Sequence, residues 1–428
     1  MYASSFWGWI SEWSNRLWEA TVVRSGMVTI IGAAVLLLGL GIGWHEHMQG
    51  KFGQLKRELK GPAPETAPPP VQPGGQDPVV LERSTLEGGS TPELLSATLL
   101  PGRGMNLFQI KAYIPGKGEV NLLASPPLAD AADRLTGDKE DANGGQSLLM
   151  GGALEAPWSG AIFGNGDGTV TTFWNGRSIR LPAEHVNGVS VANGGLLLKA
   201  AASTSKTTVM PDGGELDTVY NVDNFNGRWP SSTQITSTAQ LSGHLIELKI
   251  SARNNGSDPE PIGLGWQPRF AILNKNRENI LLHIPSTTRI EKNSHTGEPT
   301  GRLLPVDGTP YDFTGRVAGK LDKGTLNETF VSPRQAPLDN GPVIELRDPE
   351  SNYGLRMTIL SPSIKAVHVS APADGDYISI SPRFNYDDPF GREWGRDIDT
   401  GMVVLQPGQT AQWRVRLEIF SLTPSGAL

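Results

Sequence analysis

Alternating apolar and polar positions dominate the chain after its first eighty residues. In "HLIELKISAR", residues 244–253, every second residue is apolar, namely Ile246, Leu248, Ile250 and Ala252. This alternation predicts a half-buried antiparallel strand, and the following "NNGSDPEP" predicts a turn. The stretches "DYISISPRF", "GMVVLQPGQ" and "QWRVRLEIF" repeat the pattern near the C terminus. We therefore predict that residues 79–428 form one large all-β sandwich.

A different pattern occupies residues 1–24. An aromatic and apolar set recurs there at helical spacing, and it comprises Phe6, Trp9, Ile10, Trp13 and Leu17. An amphipathic Trp-rich helix of this kind could lie in a membrane interface. It could also pack against a partner helix in a membrane complex, and the residues leave both interpretations open.

Residues 25–45 are predicted to form a single transmembrane anchor. The stretch "GMVTIIGAAVLLLGLGIGW", residues 26–44, contains no charged residue. As a helix it would span roughly 28 Å, which is close to the hydrocarbon thickness of a bilayer. No small-residue cleavage site follows, so we expect the anchor to remain uncleaved. Residues 46–78 are predicted to be a juxtamembrane and Pro-rich linker, with the globular domain beginning at Val79.

The charges that flank the anchor bear on its orientation. Two cations precede it and four follow it, namely Arg16, Arg24, Lys51, Lys56, Arg57 and Lys60. Taken literally, the positive-inside rule would place the C-terminal domain in the cytoplasm. We nevertheless expect a single-pass protein of a bacterial inner membrane with a periplasmic C-terminal domain, because a short tail before a lone anchor is commonly oriented that way.

Composition narrows the chemistry of the domain. The chain has 51 glycines and 33 prolines, which suits a turn-rich β protein, and it has no cysteine. Disulfides and thiolate chemistry are thereby excluded. The net charge of -7 is dispersed, without a basic patch rich in aromatic residues, so we expect no nucleic-acid partner. We also expect no cofactor and no metal, because the acidic run "FNYDDPFGREWGRDID" lacks the ligand spacing of a calcium loop and is predicted to be a solvated surface loop.

Several motifs resemble those of the aldose 1-epimerases (galactose mutarotases), in the family's order, over most of residues 95–424. The stretch "PWSGAIFGNG" resembles Gly-Ala-Ile-x-Gly-Arg, and "NGRSIRLPAEHVNGVS" resembles the segment that ends in Leu-His-Gly. "GWQPRF" resembles the His-Pro-Tyr-Phe region, and "ISISPRF" resembles the region of the Glu-Pro motif. The most specific match is "LLPVDGTPYDF" with Pro-Val-x-Gly-Thr-x-x-Asp-Phe. The resemblance implies a galactose-mutarotase-like β-supersandwich with a sugar-binding cleft on a concave face.

The resemblance also implies which positions would carry the chemistry. The family opens a sugar hemiacetal with a glutamate base and a histidine acid. These roles fall on Ser381 and Gln267, and neither side chain can exchange a proton at neutral pH in that way. The family's other sugar-binding positions fall on the amides Asn165, Asn187 and Asn327.

Seven residues are therefore predicted to bind substrate: Asn165, Asn187, Trp266, Gln267, Arg269, Asn327 and Ser381. Trp266 could stack on a sugar ring or belong to the core. Arg269 could bind an acidic sugar or phosphate, or pair with a nearby carboxylate. Replacement acid–base groups could come from nearby ionisable residues, namely His185, Asp387, Asp388, Glu393 and Asp397.

We accordingly expect a membrane-anchored carbohydrate-binding protein that is catalytically degenerate and acts in polysaccharide or cell-envelope sugar metabolism. Its ligand is expected to be an oligosaccharide or polysaccharide. One alternative is an active aldose 1-epimerase, or another sugar isomerase, with a rearranged acid–base pair. The other is a non-sugar interaction module of a membrane complex.

Overall fold

The computed structural model describes residues 33–42, 44–45, 71–83, 89–138, 141–315, 318–321 and 324–423. The chain forms two compact units, Met1–Pro70 and Val71–Leu428. In the first unit the described residues are helical. Across the described ranges, no helix combines the length and the apolar character that crossing a bilayer requires. The predicted segment 1–24, residues 25–32 and 43 of the predicted anchor, and residues 46–70 of the linker lie outside the described residues.

The second unit consists mainly of β-strands. The first strands are β1 (Val79–Glu82), β2 (Glu93–Leu100), β3 (Asn106–Ile114), β4 (Gly118–Asn121), β5 (Gly152–Glu155), β6 (Ala161–Gly164), β7 (Thr169–Trp174), β8 (Arg177–Pro182), β9 (Glu184–Val186), β10 (Val189–Asn193), β11 (Thr204–Met210), β12 (Gly213–Asp223), β13 (Thr233–Ser242) and β14 (Leu245–Asn254). The later strands are β15 (Glu260–Ile262), β16 (Gly265–Ala271), β17 (Leu281–His283), β18 (Thr288–Lys292), β19 (Pro299–Pro305), β20 (Gly319–Lys320), β21 (Leu326–Val331), β22 (Val343–Asp348), β23 (Tyr353–Ile359), β24 (Ala366–Ala371), β25 (Tyr377–Arg383), β26 (Val403–Leu405) and β27 (Thr410–Ser421). Helices in this unit are short: α1 (Leu128–Ala131), α2 (Gln146–Leu149) and the 3-10 turns Pro73–Gly75, Pro101–Arg103, Ala132–Leu135, Arg277–Asn279 and Pro349–Ser351.

Two large sheets organise these strands. The first has the order β1-β2-β3-β5-β16-β25-β24-β21-β18-β19, with β4 beside β3. The second has the order β11-β12-β13-β14-β27-β23-β22-β17-β20. Small sheets, β6-β10-β9, β7-β8 and β15-β26, accompany them. The prediction of a large all-β sandwich is confirmed.

The core lies between the two large sheets. One continuous apolar cluster takes Trp266 and Phe330 from the first sheet and Leu248 and Trp413 from the second. Side chains alternate between the faces of a strand, so the residues between these positions point away from the core. Burial of this apolar cluster is the main favourable contribution to the stability of the fold.

The strands predicted from alternation are confirmed, with one difference in burial. In β14 the buried and half-buried positions alternate as expected. In β25 nearly every position is buried, although its sequence also alternates. One face of β25 packs into the core, and at the end of its polar face Arg383 is covered by the segment that follows it, through the ion pair with Asp387.

That covering segment is the acidic run that was predicted to be a solvated loop, and this prediction is wrong for its first half. Asn385 is fully buried and Asp387 nearly so. Asn385 Oδ1 accepts hydrogen bonds from Ser159 N at 3.1 Å and from Ser159 Oγ at 3.0 Å. The run folds back onto the sheet because hydrogen bonds and ion pairs compensate its polar groups there.

The compact unit also begins before the predicted Val79. Pro73 is buried within the turn Pro73–Gly75, and Gln76 Nε2 donates to Ala202 O at 2.8 Å. Residues 71–78, which were assigned to the linker, therefore belong to the folded unit that starts at Val71.

Candidate functional site

A polar cleft of about 800 Å³ lies on the face of the first sheet that points away from the core. Its floor comes from alternate residues of the paired strands β16 and β25, including Gln267, Arg269, Tyr377 and Ser379. The residues that alternate with them along the strands, such as Phe270 and Ile378, are buried in the core. The alternation of the strands thus supplies the core with one set of side chains and the cleft with the other.

A second cavity of about 340 Å³ adjoins the cleft. The two cavities share lining residues, namely Val191, Asn193, Gln267 and Arg269. Together they form one groove in which Gln267 and Arg269 occupy the junction.

Four of the seven predicted binding residues line this groove: Asn187, Gln267, Arg269 and Asn327. Asn187 is in the turn between β9 and β10 with φ of 50°, a left-handed conformation that asparagine tolerates better than most residues. Asn327 is exposed on β21, opposite Ser370 of β24, which also lines the cleft.

The other three predicted residues do not line it. Asn165 is exposed in the turn after β6. Trp266 is 0% exposed, its Nε1 donates to Gly152 O at 3.2 Å, and its ring meets Phe270 edge-on. Trp266 is therefore a core residue, which is one of the two interpretations that the sequence left open. Ser381 is 1% exposed and its Oγ donates to Trp266 O at 2.9 Å, so this hydroxyl is engaged with the backbone.

Gln267 and Ser381 are nevertheless neighbours across two strands. Gly265 pairs with Arg383 and Arg269 pairs with Ser379, so the register places Gln267 opposite Ser381. The two positions that the family resemblance assigns to acid and base thus adjoin each other, and they carry an amide and an alcohol.

Charged residues gather on the cleft floor beside these positions. The carboxylate of Asp387 forms ion pairs with Arg383 Nη2 at 2.8 Å and with Lys292 Nζ at 3.0 Å. It also accepts a hydrogen bond from Thr329 Oγ1 at 2.8 Å. Thr329 Oγ1 also lies 3.1 Å from His368 Nδ1. Thr329 donates its single hydroxyl proton to Asp387. Towards His368 the hydroxyl oxygen can therefore act only as an acceptor, as it also does towards Arg383 Nη2. This arrangement favours the tautomer with a proton on Nδ1 and leaves Nε2 unprotonated.

These contacts set the ionisation of the cluster. Burial opposes ionisation of Asp387, but the charges of Arg383 and Lys292 outweigh it and hold the pKa well below its usual range. Burial, together with the same two cations, lowers the pKa of His368 well below its ordinary value. At neutral pH the cleft therefore holds an ionised Asp387 and a neutral His368.

His368 was missed in the sequence, although a signal was present. In "KAVHVSA" the buried residues Val367 and Val369 alternate with His368 and Ser370, which places the histidine on the polar face of a strand. Among the replacement acid–base candidates named from the sequence, Asp387 lines the cleft, whereas His185, Asp388, Glu393 and Asp397 do not. Asp388 instead has its pKa raised to about 8 by burial and by the neighbouring Glu393.

In the described part of the chain, Arg269 does not form the ion pair with a nearby carboxylate that the sequence left open. Its guanidinium carbon lies 4.5 Å from the centroid of the Tyr377 ring. The described residues provide it with no carboxylate partner, whereas they do provide one for Arg289, which pairs with Glu328 at 2.9 Å. Arg269 is thus held by a cation–π contact.

Comparison with known proteins agrees with this fold. The family model for aldose 1-epimerase matches residues 171–418, more than half of the chain. The chain therefore belongs to the aldose 1-epimerase family. No curated protein sequence matches it.

Solved structures share the fold at low sequence identity. A galactose mutarotase-like protein from Clostridium acetobutylicum is 14% identical, with a TM-score of 0.63, over 80% of this chain and 98% of that one. An aldose epimerase homologue from C. elegans is 15% identical, with a TM-score of 0.58, over 77% and 96%. Galactose 1-epimerase from Lactobacillus acidophilus is 14% identical, with a TM-score of 0.54, over 80% and 98%.

Proposed function

We propose that the protein binds an oligosaccharide or polysaccharide in the groove and does not interconvert its anomers with the family's acid–base pair. The observation that carries this proposal is the junction of two cavities at Gln267, within a family whose activity concerns sugars. The amides of Asn187, Gln267 and Asn327 offer hydrogen-bond donors and acceptors to sugar hydroxyls. Phe163 lines the cleft and offers an apolar face to a sugar ring.

The size of the groove favours a ligand longer than one sugar. Each neutral hydrogen bond contributes roughly 0.5–1.5 kcal/mol, and association itself opposes binding, so a single monosaccharide would bind weakly. A chain of several sugars can occupy both cavities and accumulate these contributions.

A glycan array followed by calorimetry on the full-length protein tests the proposal. We expect binding of an oligosaccharide, weakened several-fold by Gln267→Ala with little change in thermal stability. Asn165→Ala is the matched control, because Asn165 lies outside the groove and its removal should leave affinity unchanged. A wild-type protein that binds no glycan would overturn the proposal and favour the non-sugar interaction module.

The cellular setting is a second part of the proposal. The uncharged stretch 26–44 and the Pro-rich residues 61–70 support a membrane anchor with a spacer. With a periplasmic domain in a bacterial inner membrane, the protein would act in polysaccharide or cell-envelope sugar metabolism. The Trp-rich residues 1–24 would then lie at the interface or contact a partner helix of a membrane complex.

One observation favours an active epimerase as the second candidate. His368 lines the cleft with Nε2 unprotonated, so it could accept the proton of an anomeric hydroxyl. Polarimetry on freshly dissolved α-glucose and α-galactose distinguishes the two functions. We expect no mutarotation above the buffer rate. Turnover of about 10 s⁻¹ that His368→Gln abolishes would establish the second candidate in place of the first.

A further inference from the structure

Among the residues that the structure describes, four that line the cleft carry a buried polar atom that lacks a hydrogen-bond partner: Arg269 Nε, Ser379 Oγ, Arg289 Nε and Arg383 Nε. Arg269 and Ser379 are directly paired across β16 and β25. Buried polar atoms are almost always satisfied, so two unsatisfied donors on paired residues indicate a place where a ligand supplies the acceptors.

The charges of the cleft show which kind of acceptor is missing. Arg383 and Lys292 share Asp387, and Arg289 pairs with Glu328. Within the described ranges, Arg269 has no such carboxylate, and its guanidinium contacts the Tyr377 ring instead. A partly buried cation without an anion is unfavourable, so an anionic ligand gains affinity by compensating it.

We propose that Arg269, together with Ser379 and Gln267, binds the carboxylate of an acidic sugar, so that the glycan ligand contains uronic-acid-type residues. This inference rests on the proposed function and names its ligand class. The planar guanidinium donates two parallel hydrogen bonds to a carboxylate, and the Ser379 hydroxyl adjoins that site. One uncompensated cation matches a monoanion, whereas a phosphate dianion would remain half-compensated.

The position of Arg269 places the charged sugar in the middle of the groove. Arg269 lines both cavities, as does Gln267 two residues before it on the same face of β16. An acidic sugar bound at this junction would have neutral or acidic sugars of the same chain on either side. Because the groove continues on both sides of this junction, the site accommodates an internal unit of a chain and does not require a free chain end.

The experiment compares acidic oligosaccharides with their carboxyl-reduced counterparts. Calorimetry on the full-length wild-type protein uses oligogalacturonate and oligoglucuronate, each against its reduced neutral form, with inorganic phosphate as a competitor. We expect each acidic oligosaccharide that binds to have an affinity about tenfold or more above that of its reduced neutral form, as a charge-assisted bidentate contact implies. Phosphate should compete poorly.

Variants assign that preference to Arg269. Arg269→Gln should remove the preference for the acidic form, while the neutral form still binds. Arg269→Lys should retain only part of this preference, because an ammonium group cannot donate the two parallel hydrogen bonds of a planar guanidinium. Ser379→Ala should reduce the preference more weakly. Arg334→Gln, at an exposed position outside the cleft, is the charge control and should change nothing.

The outcomes separate this inference from the proposed function. Equal binding of acidic and neutral forms, or a preference that survives Arg269→Gln, would overturn the inference and leave glycan binding intact. Stronger binding of phosphate than of carboxylate would also overturn it. Failure of the wild-type protein to bind either form, together with an empty glycan array, would overturn the proposed function itself.

Discussion

Arg383 Nη2 and Asp387 Oδ1 lie 2.8 Å apart beneath the cleft, and both side chains are almost completely buried. The pair links the end of β25 to the segment that covers it. Lys292, at the end of β18, reaches the same carboxylate at 3.0 Å. The ion pairs therefore hold together segments that are distant in sequence and fix the floor of the groove.

Replacement of Asp387 by asparagine should destabilise the fold. The change leaves Arg383 and Lys292 buried without their anion, which costs about 3–5 kcal/mol of unfolding free energy. Because the pKa of Asp387 lies well below its usual range, this contribution is complete above about pH 4 and is lost as the pH falls further. Urea unfolding at pH 7 measures the effect. Asp374→Asn, at an exposed position, is the control, and an equal loss in both variants would contradict the prediction.

Gly160 should tolerate no side chain. It has φ of +71°, and an added Cβ would overlap Arg383 Nη1. Gly160→Ala should therefore displace Arg383, lower stability by more than about 2 kcal/mol, and weaken ligand binding. Gly168 has φ of +68° with open space around it, so Gly168→Ala isolates the cost of the backbone conformation. Similar unfolding midpoints for the two variants would show that Arg383 is not displaced.

Glu260 should make stability depend on pH. It is buried, it accepts from Thr233 Oγ1 at 2.7 Å, and burial raises its pKa from 4.5 to about 7. The unfolded chain loses this proton near pH 4.5 and the folded protein near pH 7, so Glu260 disfavours folding increasingly as the pH rises between these values.

Glu260→Gln should remove that contribution. Relative to the wild type, the unfolding free energy of the variant should increase by on the order of 3 kcal/mol between pH 4 and pH 8. Denaturant unfolding across this range provides the measurement, and Glu82→Gln at an exposed position of β1 serves as the control. A constant difference between Glu260→Gln and the wild type would contradict the prediction.

The proposed orientation predicts the activity of a topology reporter. Alkaline phosphatase folds only in an oxidising compartment, so a fusion to Leu428 should be active if the domain is periplasmic. A reporter that requires the cytoplasm should be inactive at the same site. The reverse result would agree with the positive-inside count and place the domain in the cytoplasm.

The sequence by itself determined the strands and the family. Period-two alternation reports which residues of one strand share a face, and this information is local, so β14 and β27 could be predicted from their own residues. Motif order over some 330 residues similarly identified the aldose 1-epimerase family. The amide at Gln267 and the alcohol at Ser381 could be read directly from those motifs.

Only the tertiary structure decided which polar faces meet and which charges are compensated. His368 joins the cleft because β24 pairs with β25 and β21, and this pairing is not encoded within "KAVHVSA". The acidic run after β25 is buried because Lys292, distant in sequence, adds its charge to that of Arg383. Trp266 and Arg269 lie three residues apart on β16, yet one fills the core and the other lines the cleft, because one face of the first sheet packs against the second sheet and the other face does not.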